Sequence, residues 1–381
     1  LLDQATPPAA APTLPSSTLP ALPDEDIGKA IPDGAKVRVS RFVLEGVSLL
    51  PQDQLQAQLS DLIGQELGLA GLRKAAARIT TLYREHGYFL ARAYLPTQDI
   101  ANGAVRIAVL EGRYGAVETA GSPRLEQPHA QGILDAHEVA ADQPIERSAL
   151  ERSLILLEQR GGAPVQAVMQ PGATVGTSHM VVEAPAGPLF SGQVGADNYG
   201  NRYSGQNRAT ALLNLNSPRG VGDLASLWLM KSVDSDAVFA AYQTPVGYQG
   251  LTLGASYSQF NYQLCCEFAP LDQQGYAKVF GVQARYPLIL SQRQIMNAGL
   301  AFERKHLNDS SALGELADKD ANVFSVSLDG IAATASGQNR YQVALTSGDL
   351  NVSGPPAYVQ ANAATVDTAG RYVKLRGEYQ Y

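Results

Sequence analysis

Charged residues, cysteines and long apolar runs are all scarce in this 381-residue chain. Charged residues make up 17% of the sequence, whereas about a quarter is usual for a soluble protein. No apolar run approaches the roughly 18 residues that a membrane-spanning helix needs, so no transmembrane helix is predicted. Hydrophobic residues nevertheless reach 45%. A membrane β-barrel reconciles these facts, because its strands need only every second residue to be apolar.

The residues that usually signal catalysis or metal binding are also missing. The two cysteines, Cys265 and Cys266, are adjacent, which excludes a disulfide framework or zinc site but allows a vicinal disulfide or two loop thiols. The five histidines are scattered, and no G-x-S-x-G nucleophile motif occurs. A G-x-G-x-x-A match at 220–225 precedes a strand-like run instead of a helix, so it does not indicate a dinucleotide. We therefore predict no enzyme, cofactor or metal, and the net charge of -7 argues against nucleic acid.

The hydrophobic pattern changes near residue 187. Before that point, apolar residues recur at helical spacing between short β runs. From Phe190 to Tyr381, apolar and polar residues alternate with a period of two. This order predicts an outer-membrane β-barrel that carries a periplasmic arm.

Four segments follow from this reading. Residues 1–36 form a Pro-rich linker, because their composition cannot form a core. Residues 37–114 and 115–187 each predict the order β-α-α-β-β, so the arm is an internal repeat of a small α+β unit. Residues 188–381 form part of the barrel. The chain starts without Met or a basic leader, so a removed signal peptide or a fragment is expected.

About ten amphipathic strands are predicted in the last segment. Charged residues that alternate strictly with apolar residues favour a strand in the wall of a water-filled barrel over a strand in a β-sandwich with a dry core. The pore-lining candidates are Glu303, Lys374, Arg376 and Glu378. The alternative is that these charges only solvate an inner wall or pair with one another. Short turns are predicted at the periplasmic end, and long outer loops at Asn261–Gln274, His306–Asn322 and Asp349–Gly370.

The first α+β unit offers a second candidate surface. An exposed edge of its small sheet could accept an added strand from an unfolded client. The candidates for client binding are Phe42, Leu44, Val105 and Ile107. The alternative is that the edge is capped or packed against its neighbour.

Several segments resemble TpsB transporters, the outer-membrane partners of two-partner secretion. The ends of the two α+β units, GYFLARAYLPTQDIANGAVRIAVLEGRYGAV and PVQAVMQPGATVGTSHMVVE, resemble the ends of the two POTRA domains of that family. DNYGNRYSGQNR resembles the segment that opens the barrel, with matching positions Asp197, Asn198, Gly200, Arg202, Gly205 and Arg208. The resemblance covers essentially everything after Val37.

The resemblance implies a function in type Vb secretion. POTRA domains in the periplasm would capture the N-terminal secretion domain of a TpsA exoprotein, which would cross the outer membrane through the barrel and fold outside. A haemolysin, a filamentous adhesin and a contact-dependent toxin are all compatible clients, and a monomer is expected. Asp197, Asn198 and Arg202 would hold the opening of the barrel and its link to the second POTRA domain.

The chain departs from the family in two ways. A plug helix is not expected in this sequence, and about ten strands are predicted where the family closes its barrel with about sixteen. The barrel is therefore expected to be incomplete. The main alternative is an assembly factor for outer-membrane proteins, from the superfamily to which TpsB transporters belong. A displayed adhesin or enzyme and a diffusion porin fit the domain order less well.

Overall fold

The computed structural model describes residues 14–15, 36–365 and 367–381. Most of the predicted Pro-rich linker, 1–36, lies outside the described residues. Within it, Leu14 packs against the hydrophobic core of the second α+β unit.

The first α+β unit, here called the first module, contains a three-stranded mixed sheet covered by helices. Its strands lie in the order β2-β5-β4, with β2 parallel and β4 antiparallel to the central β5, while β1 and β3 pair separately. The elements are β1 (Val37–Arg38), β2 (Arg41–Glu45), α1 (Gln52–Ala57), a 3-10 turn (Ser60–Leu62), β3 (Glu66–Leu67), α2 (Leu69–Glu85), β4 (Arg92–Tyr94) and β5 (Ala104–Leu110).

Helix α2 forms where its apolar spacing predicts it. Leu72, Ala76, Ile79 and Tyr83 follow one face of the helix and are buried in the core of the first module. The helix ends before Gly87, whose φ of 92° lies in the left-handed region that glycine adopts without steric cost. The sequence therefore determines both the buried face and the end of α2.

The second module repeats the first. Its strands have the order β6-β8-β7, again with a parallel pair and an antiparallel pair around the central strand. This topology confirms the predicted repeat of β-α-α-β-β. Strand β6 begins before the predicted start at residue 115, since its first residue is Arg113. The elements are β6 (Arg113–Ala120), α3 (Gln127–Asp135), α4 (Arg147–Gly161), β7 (Gln166–Pro171) and β8 (Thr177–Glu183).

The remainder of the chain is a ten-stranded antiparallel sheet, as predicted. Each strand pairs with its neighbours in sequence, and the first and last strands lie at opposite edges of the sheet. Such a meander is an incomplete β-barrel wall. The strands are β9 (Phe190–Asp197), β10 (Arg208–Asn216), β11 (Leu224–Lys231), β12 (Ser235–Pro245), β13 (Thr252–Gln263), β14 (Gln274–Leu290), β15 (Gln294–Ser311), β16 (Gly314–Ala333), β17 (Gln338–Ser353) and β18 (Gly370–Gln380).

The connections differ from the prediction in two places. His306–Asn322 is not a loop, because β15 and β16 continue through it as a paired hairpin. The β17–β18 connection contains a helix, α5 (Pro356–Ala364), where no helix was predicted. No helix among the described residues is long and apolar enough to cross a membrane.

The second module and the sheet share one hydrophobic core. Leu290, Ile295 and Ile331 come from the end of the sheet that faces the modules, and they join the buried cluster of the second module. The second module therefore packs directly against the ends of the strands.

Candidate functional site

The two faces of the sheet differ in polarity. Leu300, Phe302 and Val326 lie on one face and are exposed despite being large and apolar. Their sequence neighbours, such as Ser325 and Ser327, point to the opposite face, because side chains alternate along a strand. An apolar outer face against lipid and a polar inner face against water is the arrangement of a membrane barrel.

The four predicted pore-lining residues share the polar face. The strand registers place Glu303 on the same face as Ser325, and Lys374, Arg376 and Glu378 on the same face as Thr346 and Gln342. Two of them form an ion pair, with Arg376 Nη2 3.2 Å from Glu378 Oε2. Both also line a cavity of 840 Å³ on this face. Their role in lining a pore stays a prediction.

The cavity contains charges that the sequence reasoning missed. Arg285 and Asp329 form an ion pair in it, and Arg340 is a further member of the lining. Their positions follow from the same alternation that identified the other four residues. They could have been found by extending the period-two pattern along β14, β16 and β17.

His306, Asp318 and Asp320 meet on the apolar side of the β15–β16 hairpin, near its outer end. His306 Nδ1 lies 3.4 Å from Asp318 Oδ1 and 3.2 Å from Asp320 Oδ1. The other ring nitrogen, Nε2, lies 3.0 Å from the hydroxyl of Tyr276. Since protein groups contact both ring nitrogens, contacts within the protein account for this cluster.

The barrel-opening segment lies at the outer end of the β9–β10 hairpin. Asp197 pairs with Arg208 at 2.8 Å, and Arg202 pairs with Glu267 of the β13–β14 loop at 3.0 Å. The second module is at the opposite end of β9. The prediction that Asp197, Asn198 and Arg202 hold the link to that module is therefore wrong. Asp197 and Arg202 instead join segments at the outer end of the sheet.

Both glycines of the segment are required by close approach. A Cβ atom on Gly200 would lie 2.1 Å from the carbonyl oxygen of Gly205. Gly205 has a φ of 107°, and a Cβ there would lie 2.0 Å from Ser232 Oγ. The turn between β9 and β10 can therefore close only with glycine at these two positions.

The adjacent cysteines form a vicinal disulfide in the β13–β14 loop. The backbone N–H of Cys265 donates to the carbonyl oxygen of Tyr203, at 2.8 Å. The rings of Tyr203 and Phe268 meet edge to face, with centroids 5.2 Å apart. The disulfide-bearing turn thus contacts the β9–β10 loop, and we call this contact the outer clasp.

The predicted client-binding residues of the first module are core residues. Phe42, Leu44, Val105 and Ile107 are at most 9% exposed. Val105 and Ile107 also lie on β5, the central strand, where both residues pair with β2. The prediction that these side chains contact a client is therefore wrong, because the sheet directs them against the helices.

The edges of the first module are capped by side chains. Gln56 Nε2 donates to the carbonyl oxygen of Phe42 on β2, at 3.1 Å. On β4, the N–H of Ala93 donates to Thr80 Oγ1, at 2.9 Å. On β5, at a position where β4 no longer pairs with it, Gln98 bonds both the N–H and the carbonyl of Arg106. Caps of this kind satisfy the backbone groups that an added strand would need.

The edge of the second module is more accessible. Strand β7 is six residues long and lies at the edge of its sheet, paired with β8 on one side only. Val168 on this strand is 47% exposed. An edge strand with an exposed apolar side chain is the type of surface that accepts an extended peptide.

Two family models match the chain. One, described as a POTRA domain of the ShlB type, matches residues 37–112. The other, described as the haemolysin secretion/activation protein ShlB/FhaC/HecB, matches residues 176–372. The second match alone covers more than half of the 381 residues.

Curated proteins and a solved structure resemble the chain over most of its length. The heme/hemopexin transporter protein HuxB of Haemophilus influenzae is 26% identical over 278 residues, or 71% of this chain and 49% of HuxB. The outer membrane transporter CdiB of Escherichia coli is 26% identical over 245 residues, or 60% of this chain and 39% of CdiB. The chain spans about half the length of the curated relatives that it matches.

The solved structure of CdiB from Escherichia coli has the same fold. It matches with a TM-score of 0.71 at 20% sequence identity, covering 86% of this chain and 61% of CdiB. Because neither the two modules nor the ten-stranded sheet alone makes up 86% of the chain, the match includes parts of both.

Proposed function

Because the chain belongs to the family of haemolysin secretion/activation proteins represented by ShlB, FhaC and HecB, we propose that it acts in the outer membrane as a two-partner secretion transporter. Its periplasmic POTRA domains capture an exoprotein, which then passes along the polar inner face of the barrel. The observation that carries this proposal is a pair of POTRA modules, the second of which packs against one end of a sheet whose two faces differ in polarity. Family membership favours this activity over that of an assembly factor.

The partner is a secreted exoprotein with an N-terminal secretion domain. The names of HuxB and CdiB associate those proteins with heme/hemopexin transport and with the outer membrane. An exoprotein that is still extended fits both a route along the inner face and an edge strand that is paired on one side only. Folding outside the cell gives the transport its direction, because ATP is not available in the periplasm. A monomeric transporter is part of the proposal, and it is supported by the pairing of consecutive strands within one chain.

Capture takes place at the edge of β7. The edges of the first module are closed by Gln56, Thr80 and Gln98, so a client strand would have to displace those side chains there. At β7, a client could pair with the backbone and cover Val168. Burying the exposed part of this side chain stabilises the complex by about 1 kcal/mol.

The substitution Val168→Asp tests the capture surface in the full-length protein. The side chain is half-exposed, so the module is expected to fold, whereas a charge on the strand edge opposes client pairing. We expect the amount of exoprotein in the culture medium to fall about five- to tenfold, consistent with the loss of about 1 kcal/mol. The measurement is an immunoblot of medium and cells.

The matched control is Val175→Asp. Val175 lies in the β7–β8 turn and is 87% exposed, so the same charge is introduced away from the strand edge. Secretion should be unchanged in this variant. Equal secretion by both variants would reject β7 as the capture surface, and no secretion by the unaltered protein together with its exoprotein would reject the transporter function itself.

A further inference from the structure

The turn between β12 and β13 packs against the surface of the second module. Its Tyr248 ring lies against the ring of His129, with centroids 5.2 Å apart. It also lies against Gly132 in the middle of α3. A Cβ atom on Gly132 would lie 2.6 Å from Cε1 and Cζ of Tyr248, so any other residue would collide with the ring. The absence of a side chain at Gly132 thus creates a notch that receives one edge of the tyrosine ring, while the residue stays 43% exposed.

Polar contacts hold the same turn from both helices. Gln249 Nε2 donates to the carbonyl oxygen of Ala136 at the end of α3, at 2.9 Å. In return, Arg152 Nη2 of α4 donates to the carbonyl oxygen of Gln249, at 3.1 Å. Helices α3 and α4 therefore bind both the backbone and a side chain of this turn.

Two arginines of α4 extend this grip to neighbouring strands. Arg152 Nη2 also donates to the carbonyl oxygen of Pro287 on β14, at 2.8 Å. Arg160 Nη2 donates to the carbonyl oxygen of Gly250 and to Thr252 Oγ1, at 3.3 and 3.1 Å. Burial lowers the pKa of Arg160 to about 10, so the guanidinium stays charged at neutral pH. A buried charge that loses its hydrogen-bond acceptors is strongly destabilising, so Arg160 favours the docked geometry in which Gly250 and Thr252 accept from it.

A second turn docks beside the first. In the β10–β11 turn, Gly222 lies so close to Arg160 that a Cβ atom would be 2.6 Å from the arginine Cβ. The N–H of Glu126 donates to the carbonyl oxygen of Gly220, at 2.8 Å. Helices α3 and α4 and the segment before them thus hold two neighbouring turns and one further strand of the barrel wall.

We propose that Gly132 and Tyr248 are positioning residues that lock the second module onto the barrel wall. The notch, the two arginines and the shared hydrophobic core make the second module and the sheet move as one body. An exoprotein strand captured at β7 is therefore delivered at a fixed position relative to the inner face. The consequence for secretion rests on the proposed function, whereas the lock itself does not.

The substitution Gly132→Ala tests the lock because helix propensity and the contact with Tyr248 predict opposite effects on the stability of the docked turn. In the middle of a helix, alanine in place of glycine stabilises by about 1 kcal/mol. If the notch is needed, the added methyl group instead displaces Tyr248. We expect hydrogen–deuterium exchange of residues 246–251 in the full-length protein to accelerate about tenfold or more, which corresponds to roughly 1.4 kcal/mol of lost docking energy.

A second substitution shows whether the effect acts through the tyrosine. In a Tyr248→Ala background the notch is empty, so Gly132→Ala should no longer accelerate exchange. The matched control is Gln131→Ala, one position earlier on α3, where the side chain is half-buried and bonds Asp135 within the helix. Equal exchange in Gly132→Ala and the unaltered protein, or an equal acceleration in both backgrounds, would overturn the lock.

Secretion is the second measurement. Gly132→Ala should reduce secretion of the exoprotein at an unchanged level of outer-membrane insertion, and the double variant Gly132→Ala/Tyr248→Ala should not lose more than Tyr248→Ala alone. Accelerated exchange with full secretion would overturn the positioning role. If the unaltered protein secretes nothing, the proposed function fails, while the exchange experiment still decides whether the lock exists.

Discussion

Among single residues, Glu111 shows how one buried carboxylate stabilises the first module. Its side chain is buried at the end of β5 and accepts hydrogen bonds from the hydroxyl and the N–H of Ser48. The N–H of Leu49 and the hydroxyl of Tyr83 donate to the same carboxylate, both at 2.8 Å. The carboxylate therefore joins α2, β5 and the loop after β2.

These contacts determine the direction of the pKa shift of Glu111. Burial alone would raise the pKa, but the bonds from Ser48, Leu49 and Tyr83 outweigh burial and hold the pKa below its ordinary value. The stabilisation is thus complete above the pKa of the unfolded chain, roughly 4.3. It is lost as the pH falls through the lower pKa of the folded state.

Glu111→Gln should destabilise the first module at pH 7 by about 3 kcal/mol, because an amide group faces the hydrogen-bond donors that a carboxylate accepts. Hydrogen–deuterium exchange of residues 46–50 should therefore be faster in the variant. The two proteins should become more alike in exchange rate below about pH 4, where Glu111 of the unaltered protein begins to be protonated. Glu45→Gln is the control, since Glu45 is exposed on β2. An unchanged exchange rate at pH 7 in Glu111→Gln would contradict this account.

The partners of Glu111 explain why sequence reasoning did not identify it. Ser48 and Glu111 are 63 positions apart, and the contact between them arises only when β2 and β5 pair in parallel. The error at Phe42 and Ile107 has a related cause. The hypothesis assumed that apolar residues of β2 and β5 lie beside an exposed edge, but an apolar strand residue can equally belong to the face that packs against the helices, as both of these do.

At the level of elements, local patterns predicted the strands well and the loops poorly. The period-two alternation after Phe190 identified ten strands, because each barrel strand is apolar on one face along its whole length. It did not reveal α5, which is short and lies in a connection. It also did not distinguish the long β15–β16 hairpin from a loop, since polar residues dominate where that hairpin extends beyond the apolar band.

The outer clasp gives a prediction for one loop. While Cys265 and Cys266 are joined, a thiol-reactive maleimide should label neither residue, and both should react after treatment with a dithiol reductant. Reduction frees the turn that binds Tyr203, so trypsin should cleave after Arg202 several-fold faster. Cleavage is measured by mass spectrometry of the protein in detergent.

A variant with both Cys265→Ser and Cys266→Ser serves as the control for the clasp. Trypsin should cleave it at the faster rate with or without reductant, because no disulfide is present to be reduced. If the unaltered protein reacts with maleimide before reduction, the cysteines are free thiols. If reduction does not change the cleavage rate, the disulfide does not hold the β9–β10 loop.

For the whole molecule, the assignment of inner and outer faces joins the fold to the proposed function. Ser327 and Leu328 are neighbours on β16 and point to opposite faces. Ser327 lines the polar cavity together with Arg285 and Asp329, whereas Leu328 is exposed on the apolar face. If the inner face is a water-filled route for an exoprotein, the two positions must differ in their access to water while sharing the same depth in the membrane.

Single cysteines introduced at these two positions measure that difference. In a background with Cys265→Ser and Cys266→Ser, Ser327→Cys should react with a charged, membrane-impermeant thiol reagent added to intact cells, and Leu328→Cys should not. A lipid-soluble maleimide should label Leu328→Cys, which shows that this thiol is present and reactive. Equal labelling of both variants by the charged reagent would mean that the apolar face is not in lipid. Failure of Ser327→Cys to react, with Leu328→Cys labelled as expected, would place the exoprotein route away from this face of the sheet.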